Sequence, residues 1–516
     1  MNKQKEIVKT VKNMNSKPNK PTSSNELLTY WPPPPANTSH PKNHNFTKLL
    51  KTANLETKPH QIDGVNWILS KETNVPYTEP YMKNTKCGGI IADEMGLGKT
   101  IQIIAPIVCN YKPKTLIVLP LVLLDQWKQT IETTTNMYPQ IYHPSYKSHY
   151  NNANNYVSIK KDNKDDKDDP KDDAIDAAIT ITTYGMLSKS KSMLLSIKWD
   201  RIIFDEAHHL RNTNTRAYIC ASKLNCNILW LVTGTPIQNK LQDMYSLLSL
   251  FGHCNHTLNN KPIFNEIIKH TLLKRTKKST NIVLPKILEK HIFIDWENNK
   301  EMEAALAAHN IAYATRPENA MYSRECRLVA LLRAKQSCIN PTLLPGNEAH
   351  DEDEIGIKIK HVYKTFVENS FAKPKLVFCH YRDEINSIHK ILQPHIKNEN
   401  LQVYIYDGRT TTEERNKILN ASNQNAIIDV LLIQIQCGCE GLNLQYFKEI
   451  YFTSPHWNPA MEDQAIARCH RIGQTSDIQI FKFFMNPFNT QNTQPEDLSM
   501  DLRILEIQKN KKLHHI

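Results

Sequence analysis

The strongest chemical signal in the sequence is a glycine-rich loop that ends in a lysine and a threonine. The loop follows an apolar run, GGII, and leads into a helical pattern, IQIIAPIVC. A loop that opens a helix presents backbone N–H groups and the positive end of the helix dipole to a phosphate chain. Lys99 would then reach the β- and γ-phosphates of a nucleoside triphosphate, and the Thr100 hydroxyl would bind Mg²⁺. The predicted nucleotide-binding residues of this loop are Asp93, Glu94, Met95, Gly96, Leu97, Gly98, Lys99 and Thr100.

A pair of adjacent carboxylates ends a second apolar run, RIIF, and begins the tetrapeptide DEAH. Parallel sheets bind ligands at the carboxyl ends of their strands, so this pair is expected at the crevice that holds the phosphates. Asp205 would hold Mg²⁺, and Glu206 would orient or deprotonate the attacking water. The tetrapeptide alone is a weak signal because acidic strand ends are common. Its place after a phosphate loop makes it a strong one.

A third segment carries two arginines near the C-terminus, in the sequence QAIARCHRIGQ. Helical spacing predicts that Gln464, Arg468 and Arg471 lie on one face of a helix. Two guanidinium groups directed across a cleft would stabilise the charge that develops on a γ-phosphate, as an arginine finger does. In isolation, a solvent-facing basic helix explains the segment better. Its order after the other two motifs favours the catalytic interpretation.

Short apolar runs that alternate with helical patterns are expected to position these side chains. One series of runs is GGIIAD, TLIVLP, AITITTY, RIIFDE and ILWLVTG, and a second is KLVFCH, VYIYDG, DVLLIQI and EIYFTS. Continuous apolar runs of this length, separated by helices, indicate parallel strands that are covered on both faces. The sequence therefore predicts an α/β protein with two doubly wound lobes and a mostly helical region at about 240–350 between them.

The predicted domains are a basic disordered tail at 1–48, a first lobe at 49–290, and a second lobe at 291–516 that includes the helical insertion. The tail is rich in Lys, Asn, Ser and Pro. It has too little apolar area to offset the entropy of ordering it. A charged stretch, Lys160–Asp173, falls between predicted strands and is expected to be a solvated surface insertion.

The bulk composition narrows the class of protein. A formal net charge of +12 over 516 residues favours a polyanionic partner such as nucleic acid. The longest apolar stretch, Thr115–Leu124, has half of the ~20 residues that a membrane-spanning helix needs. The N-terminus lacks the apolar core of a secretory signal. The 11 cysteines form no CxxC pair, which favours reduced thiols in an intracellular protein and argues against a zinc ribbon.

The motifs and their order resemble the Swi/Snf family of DNA-translocating ATPases, within helicase superfamily two. The resemblance covers about residues 55–480 and rests on ADEMGLGKTIQ, LIVLPLVLLDQW, ITTYGML, DEAHHLRN, LVTGTPIQN, LLKRTKK, LLRAKQSCINPTLL, KLVFCHY, GCEGLNLQ and HWNPAMEDQAIARCHRIGQT. Together, DEMGLGKT, TGTPIQN and ARCHRIGQ are specific. The resemblance implies two RecA-like lobes with ATP and Mg²⁺ between them, and double-stranded DNA as the partner. Contacts to the DNA backbone would make binding sequence-tolerant and salt-sensitive.

The resemblance also implies roles for residues outside the three motifs. Gln61 matches the family glutamine that reads adenine, and Thr233 and Thr235 match the segment that couples hydrolysis to lobe motion. The residues expected to touch the DNA backbone, or to support that surface, are Gln126, Trp127, Thr182, Thr183 and Gly441–Asn443. The basic run Lys274–Lys278 (KRTKK) lies inside a family segment, so a structural role is expected for it in place of a nuclear signal.

Two positions depart from the expected patterns. Asp93 stands where the general phosphate loop has its first glycine. Cys439, followed by Glu440, stands where the family usually has the second glycine of GGxGLNL. A side chain at that turn would tighten it or weaken its contact with phosphate, which bears on how DNA binding is coupled to ATP hydrolysis.

The function predicted from the sequence is that of an ATP-dependent duplex-DNA translocase that remodels protein–DNA contacts. Its expected place is the nucleus, that of the host for a viral chain, with transcription or chromatin proteins as further partners. One alternative is a strand-separating or RNA-dependent helicase of the DEAH type; TGTPIQN and HRIGQT favour the translocase. Another is a DNA-tethered transcription scaffold, which would not need all five residues Lys99, Asp205, Glu206, Arg468 and Arg471.

Overall fold

The structure is a computed structural model of the chain. It describes residues 43–73, 85–150, 156–160, 175, 177–189, 192–237, 240–315, 321–340, 343–344, 355–371, 373–411, 413–415, 417–418, 428–438, 442–488 and 498–514. Two parallel sheets, each packed between helices, form two lobes. The predicted fold class, an α/β protein with two RecA-like doubly wound lobes, is confirmed.

The first lobe is built on a sheet whose described strands are all parallel. They are β1 (Cys87–Ile91), β2 (Thr115–Leu119), β3 (Gln140–Tyr142), β6 (Ile179–Thr183), β7 (Lys198–Asp205), β8 (Asn225–Val232) and β9 (Leu272–Leu273). Their order across the sheet is β3-β6-β2-β7-β8-β1-β9. An antiparallel hairpin, β4 (Tyr146–Tyr150) and β5 (Tyr156–Lys160), follows β3. The helices are α1 (Asn43–Thr52), α2 (Pro59–Thr73), α3 (Lys99–Cys109), α4 (Leu124–Thr135), α5 (Tyr184–Leu187), α6 (Arg216–Lys223), α7 (Leu241–Ser249), α8 (Asn255–Asn259) and α9 (Lys261–Thr271).

Strand β2 shows why the central strands read as continuous apolar runs. All five of its residues are buried. Leu116 and Val118 belong to the apolar cluster on one face of the sheet. Ile117 and Leu119 belong to the cluster on the other face. Because successive side chains point to opposite faces, a strand covered on both sides needs apolar residues at every position.

The second lobe is built on another sheet whose described strands are all parallel. They are β10 (Ile287–Ile294), β11 (Lys375–Cys379), β12 (Val403–Tyr406), β13 (Val430–Gln434), β14 (Glu449–Phe452) and β15 (Ile478–Met485). Their order is β10-β15-β14-β11-β13-β12. The helices are α10 (Asn299–Ala314), α11 (Arg324–Ile339), α12 (Ile357–Glu368), α13 (Arg382–Asn398), α14 (Ile435–Gly438), α15 (Pro459–Cys469) and α16 (Met500–His514).

Two predicted boundaries differ from the structure. Helix α1 begins at Asn43, inside the predicted tail, because Phe46 and Leu50 pack against Leu69 of α2 and are fully buried. Residues 1–42 lie outside the described residues, as does most of the predicted charged insertion. The second sheet begins with β10 at Ile287, before the predicted start of the second lobe at 291.

The described residues at 240–350 are mostly helical, as predicted, but they also include β9 and β10. None of the described helices is long and apolar enough to cross a membrane.

Parallel strands bring the predicted motifs of the first lobe to one edge of its sheet. Strands β7, β8 and β1 are neighbours, and Val232 at the end of β8 pairs with both Asp205 and Ile91. The phosphate loop follows β1 and Thr233 follows β8. The loop, the carboxylate pair and the TGTPIQN segment therefore leave the sheet side by side, as expected for a ligand site at the carboxyl edge.

Candidate nucleotide-binding site

The phosphate loop is shaped by two glycines. Gly96 and Gly98 have φ angles of 92° and 78°, in the region that residues with a side chain rarely adopt. A Cβ atom on Gly98 would lie 2.3 Å from Gln61 Nε2. The loop therefore passes directly against the glutamine predicted to read adenine, and α3 begins at the next residue, Lys99. This arrangement presents backbone and a helix N-terminus to a phosphate chain.

Lys99 turns back into the loop that it ends. Its Nζ donates a hydrogen bond to the carbonyl oxygen of Asp93 at 2.8 Å and another to that of Glu94 at 3.5 Å. Burial lowers the pKa of Lys99, and the charges of Glu206, Asp93 and Asp205 oppose that effect. The ammonium group thus lies at the loop, where phosphate oxygens would replace the two carbonyl acceptors.

The side chain of Asp93 binds an arginine. Arg275 contacts both oxygens of the fully buried carboxylate, at 3.0 Å from Nε and 2.5 Å from Nη2. Gln102 donates to the same carboxylate at 3.3 Å. Asp93 therefore anchors the segment after β9 to the start of the phosphate loop, which accounts for an aspartate where the general pattern has glycine. The contact also supports a structural role for Lys274–Lys278.

Asp205 ends β7 with both carboxylate oxygens engaged. The Trp127 Nε1 donates to Oδ2 at 2.7 Å, and the backbone N–H of Glu206 donates to Oδ1 at 3.0 Å. Burial and the neighbouring Glu206 charge raise the pKa of Asp205, and the two hydrogen bonds and Lys99 act in the opposite direction. Each oxygen keeps a second acceptor site, so the carboxylate can still bind a cation or a water molecule.

Glu206 lies beside residues of both lobes. Its Oε1 is 3.7 Å from Nη2 of Arg468, and its Oε2 is 3.2 Å from Nδ1 of His208, without hydrogen-bond geometry. Burial by itself would raise the pKa of Glu206. His208, Arg468 and Lys99 together lower the pKa by more than burial raises it, so the net shift is downward. The backbone has a φ of 50°, which is uncommon for a residue with a side chain and is found at functional sites. A charged carboxylate with acceptor capacity suits the orientation of an attacking water.

The second lobe contributes its polar residues from α15 and the turn that follows. Gln464 Nε2 donates to the Thr235 hydroxyl across the cleft at 3.4 Å. Arg468 faces Glu206 from the last turn of α15.

The prediction of one helical face through Arg471 is wrong, because α15 ends at Cys469. The chain then turns at Gly473, whose φ is 100°. Arg471 nevertheless reaches the phosphate loop, since its Cβ is 3.3 Å from where a Cβ on Gly96 would stand.

Several contacts of the site were not predicted. Lys277 Nζ lies 3.4 Å from Glu94 Oε1 and 3.1 Å from the carbonyl oxygen of His470, so it joins the phosphate loop to the second lobe. The bond from Trp127 to Asp205, the pair of Arg275 with Asp93, and the place of His208 beside Glu206 were also missed. The basic run in LLKRTKK was the feature of the sequence that could have pointed to the contacts of Arg275 and Lys277. The residue types offered no such feature for the contact of Trp127 with Asp205.

The residues expected to touch DNA or to support that surface are mostly buried. Trp127 is 1% exposed, and the Thr182 hydroxyl donates to the carbonyl oxygen of Tyr142 at 2.9 Å. The Thr183 hydroxyl caps α5 by accepting from the N–H of Met186. These three residues can support a surface, while Gln126 is exposed. Cys439, Glu440 and Gly441 lie outside the described residues.

The residues at the cleft fit a nucleoside triphosphate with Mg²⁺. The positive-φ glycines leave room for phosphate next to the N-terminus of α3, and Lys99 supplies the countercharge. The Thr100 hydroxyl and the Asp205 carboxylate are oxygen donors of the kind that Mg²⁺ takes from a protein when phosphates and water complete its shell.

Two family models match the chain. The model of the SNF2-related domain matches residues 60–343, and that of the helicase conserved C-terminal domain matches residues 357–473. The chain is 27% identical over 463 residues to the probable global transactivator of Orgyia pseudotsugata multicapsid polyhedrosis virus, with 84% of this chain and 86% of that protein covered. It is 27% identical over 461 residues to chromodomain-helicase-DNA-binding protein 1-like of Danio rerio, with 83% and 41% covered.

Among solved structures, the SWI2/SNF2 ATPase core of Sulfolobus solfataricus in complex with dsDNA has a TM-score of 0.38 and 22% identity, with 83% of this chain and 88% of that chain covered. The chain thus spans most of the viral relative and about two fifths of the fish protein. Because the first of the two family models matches more than half of its residues, the chain belongs to the SNF2-related family of helicase-like ATPases.

Proposed function

We propose that this chain is an ATP-dependent translocase on double-stranded DNA that remodels protein–DNA contacts. Its proposed setting is transcription regulation or chromatin in a nucleus. The observation that carries the proposal is the meeting of both lobes at one carboxylate. Glu206 of the first lobe lies 3.7 Å from Arg468 of the second, and Gln464 contacts Thr235 nearby.

ATP would be held mainly by the first lobe. Gln61 would contact adenine, and the loop from Glu94 to Gly98 with Lys99 would bind the phosphates. Thr100 and Asp205 would hold Mg²⁺, which neutralises charge on the β- and γ-phosphates when it is bound. Glu206 would orient the attacking water and accept its proton.

The second lobe would complete the site only when the lobes are closed. Arg468 and Arg471 would then lie against the γ-phosphate and stabilise the charge that develops during transfer. In the structure, Arg468 faces Glu206. DNA bound to both lobes would favour the closed arrangement, because a ligand that binds one conformation better shifts the population toward it. Hydrolysis would therefore be stimulated by DNA.

The choice of duplex DNA and of a regulatory role draws on the relatives. One is named a global transactivator, and another a chromodomain-helicase-DNA-binding protein. The net charge of +12 supports a polyanionic partner.

Steady-state ATP hydrolysis by the purified chain tests the proposal. Rates are measured without nucleic acid and with duplex DNA, single-stranded DNA or RNA. Strong stimulation by duplex DNA is expected, and it should be absent in Lys99→Ala. Stimulation by RNA alone would replace the proposal with an RNA-dependent helicase. ATP-dependent strand displacement on a forked duplex would show that the enzyme separates strands.

The assigned base is tested by Glu206→Gln, which removes the charge and keeps the shape. ATP binding should persist, and turnover should fall by about 10²- to 10⁴-fold, the usual contribution of a general base. Normal turnover would remove Glu206 from the mechanism.

A further inference from the structure

We propose that Trp127 is a positioning residue for the magnesium-binding carboxylate of the site. Its indole N–H fixes the orientation of Asp205, so that the affinity for Mg²⁺ in the nucleotide complex depends on a residue that touches neither metal nor nucleotide. This inference rests on the proposed ATPase function and adds the means by which the first lobe aligns its metal ligand.

The geometry restrains Asp205 through two donors. Trp127 Nε1 is 2.7 Å from Oδ2, and the Glu206 N–H is 3.0 Å from Oδ1. The Glu206 contact joins adjacent residues and moves with Asp205 when the strand end moves. Trp127 is 78 residues away in sequence and lies on a different element, α4. It is therefore the contact that ties the plane of the carboxylate to the body of the lobe.

The indole is itself held firmly. Trp127 is 1% exposed and packs in the apolar cluster with Ile131 of α4 and Ile117 of β2. The first turn of α4 has a second attachment, because the Tyr146 hydroxyl of β4 donates to the Asp125 carboxylate. Because packing and the Tyr146 contact already fix the indole, little further conformational entropy is lost when its N–H orders the Asp205 carboxylate.

Asp205 needs a fixed hydrogen-bond donor because another carboxylate, that of Glu206, lies beside it. The carboxylate is buried and lies next to the charged Glu206. Like charges in a buried site repel each other, so an Asp205 carboxylate without the Trp127 N–H would rotate away from Glu206. That rotation would weaken a magnesium ligand. Partners of metal ligands typically change metal affinity by 10- to 100-fold when they are removed.

The test compares two tryptophan-to-phenylalanine variants. Trp127→Phe keeps an aromatic ring in the apolar cluster and removes the N–H. Trp199→Phe is the matched control, since Trp199 is also fully buried in the first lobe and its Nε1 donates to the carbonyl oxygen of Leu194 at 3.0 Å. Both substitutions remove one buried indole hydrogen bond, but only the first concerns Asp205.

The measurement is binding of a fluorescent, non-hydrolysable ATP analogue, followed by anisotropy while Mg²⁺ is titrated. In Trp127→Phe, the Mg²⁺ concentration for half-maximal tightening should rise by about 10- to 100-fold. Binding in EDTA should stay at the wild-type level. Trp199→Phe should titrate as wild type, although its melting temperature should fall by an amount similar to that of Trp127→Phe.

A second readout separates positioning from general damage. Excess Mg²⁺ should restore most of the ATP hydrolysis rate of Trp127→Phe, which a misfolded site would not allow. A wild-type Mg²⁺ titration in Trp127→Phe would overturn the inference. If that variant does not fold, Trp127→Leu, which also lacks the donor, is titrated in its place. Failure of the wild type to bind the analogue with Mg²⁺ would instead reject the proposed function.

Discussion

The two lobes share one architecture, but the side chains at the carboxyl edges of their sheets make different kinds of contact. In the first lobe, two charged side chains at that edge have weak or replaceable partners: Lys99 contacts backbone carbonyls, and Glu206 has a buried oxygen that makes no hydrogen bond within the described residues. In the second lobe, the corresponding edge is filled by a buried ion pair of the lobe itself, between Lys358 and Asp501. The first edge is arranged to accept a ligand, while the second is closed by its own side chains.

The closure of the second edge depends on the C-terminal helix. Asp501 of α16 accepts from Lys358 of α12 at 2.5 Å, from the Ser454 hydroxyl at 2.8 Å and from the N–H of Met485 at 2.9 Å. Asp501 is fully buried and Lys358 is 1% exposed. Strands β14 and β15 end at this cluster. The arginines that we propose as catalytic therefore come from α15 and the following turn of the second lobe, and not from its strand ends.

The comparison predicts opposite consequences for the same substitution in the two lobes. Lys99→Met should abolish ATP hydrolysis while the free energy of unfolding stays the same or rises, because burial already disfavours the Lys99 charge. Lys358→Met should lower the free energy of unfolding by about 3–5 kcal/mol, because it leaves the Asp501 charge buried without its cation. Chemical denaturation and steady-state ATPase rates measure both effects.

The double variant Lys358→Met with Asp501→Asn is the control for this pair. Removal of both charges should recover much of the lost stability, since a neutral pair carries no uncompensated charge. If Lys99→Met lowered the free energy of unfolding as much as Lys358→Met, the predicted difference between the two lobes would be contradicted.

A smaller effect, on pH dependence, is expected from His309 in the second lobe. Its Nδ1 contacts the carbonyl oxygen of Ala305 at 2.7 Å and its Nε2 accepts from the N–H of Met500 at 2.8 Å, which fixes a neutral ring. Burial lowers the pKa of His309 from 6.5 to about 4. The unfolded chain therefore binds this proton more readily, and stability is lost as the pH falls from about 6.5 to about 4. The full loss is about 3 kcal/mol.

The measurement is urea denaturation of wild type and His309→Gln at several pH values between 7 and 4. The variant should be less stable at neutral pH, because it disturbs two hydrogen bonds, but it should lose less stability on acidification. Equal losses in the two proteins would show that His309 does not titrate as its surroundings require.

Sequence patterns predicted the interior of both sheets and missed parts of their edges. β2 and β6, TLIVL and ITITT, are buried on both faces and read as strands. β10, ILEKHIFI, is an edge strand with mostly exposed side chains, so it lacks a continuous apolar run. β9 has only two residues, too few to form a pattern.

In the candidate site, too, the sequence predicted some features and missed others. The phosphate loop and the DEAH pair are local in sequence, so residue type and spacing were enough to find them. The pair of Arg275 with Asp93 joins residues 182 positions apart. A contact over that distance in sequence cannot be predicted from the periodicity of residue types. Helix α15 ends before Arg471 because the chain leaves helical backbone angles at His470, and a helical wheel continued through QAIARCHR does not take this into account.

The smallest predicted effect tests whether the second lobe acts through the placement of α15. Asn458 caps this helix by accepting from the N–H of Ala460 at 3.2 Å, and Asn298 caps α10 in the same way by accepting from Lys300 at 2.9 Å. Asn458→Ala and Asn298→Ala should each cost about 1 kcal/mol of stability. Only Asn458→Ala should also slow ATP hydrolysis, on the order of tenfold, because small displacements of catalytic groups are costly. Equal rates in the two variants would mean that Gln464 and Arg468 are held by the cleft itself and not by the start of their helix.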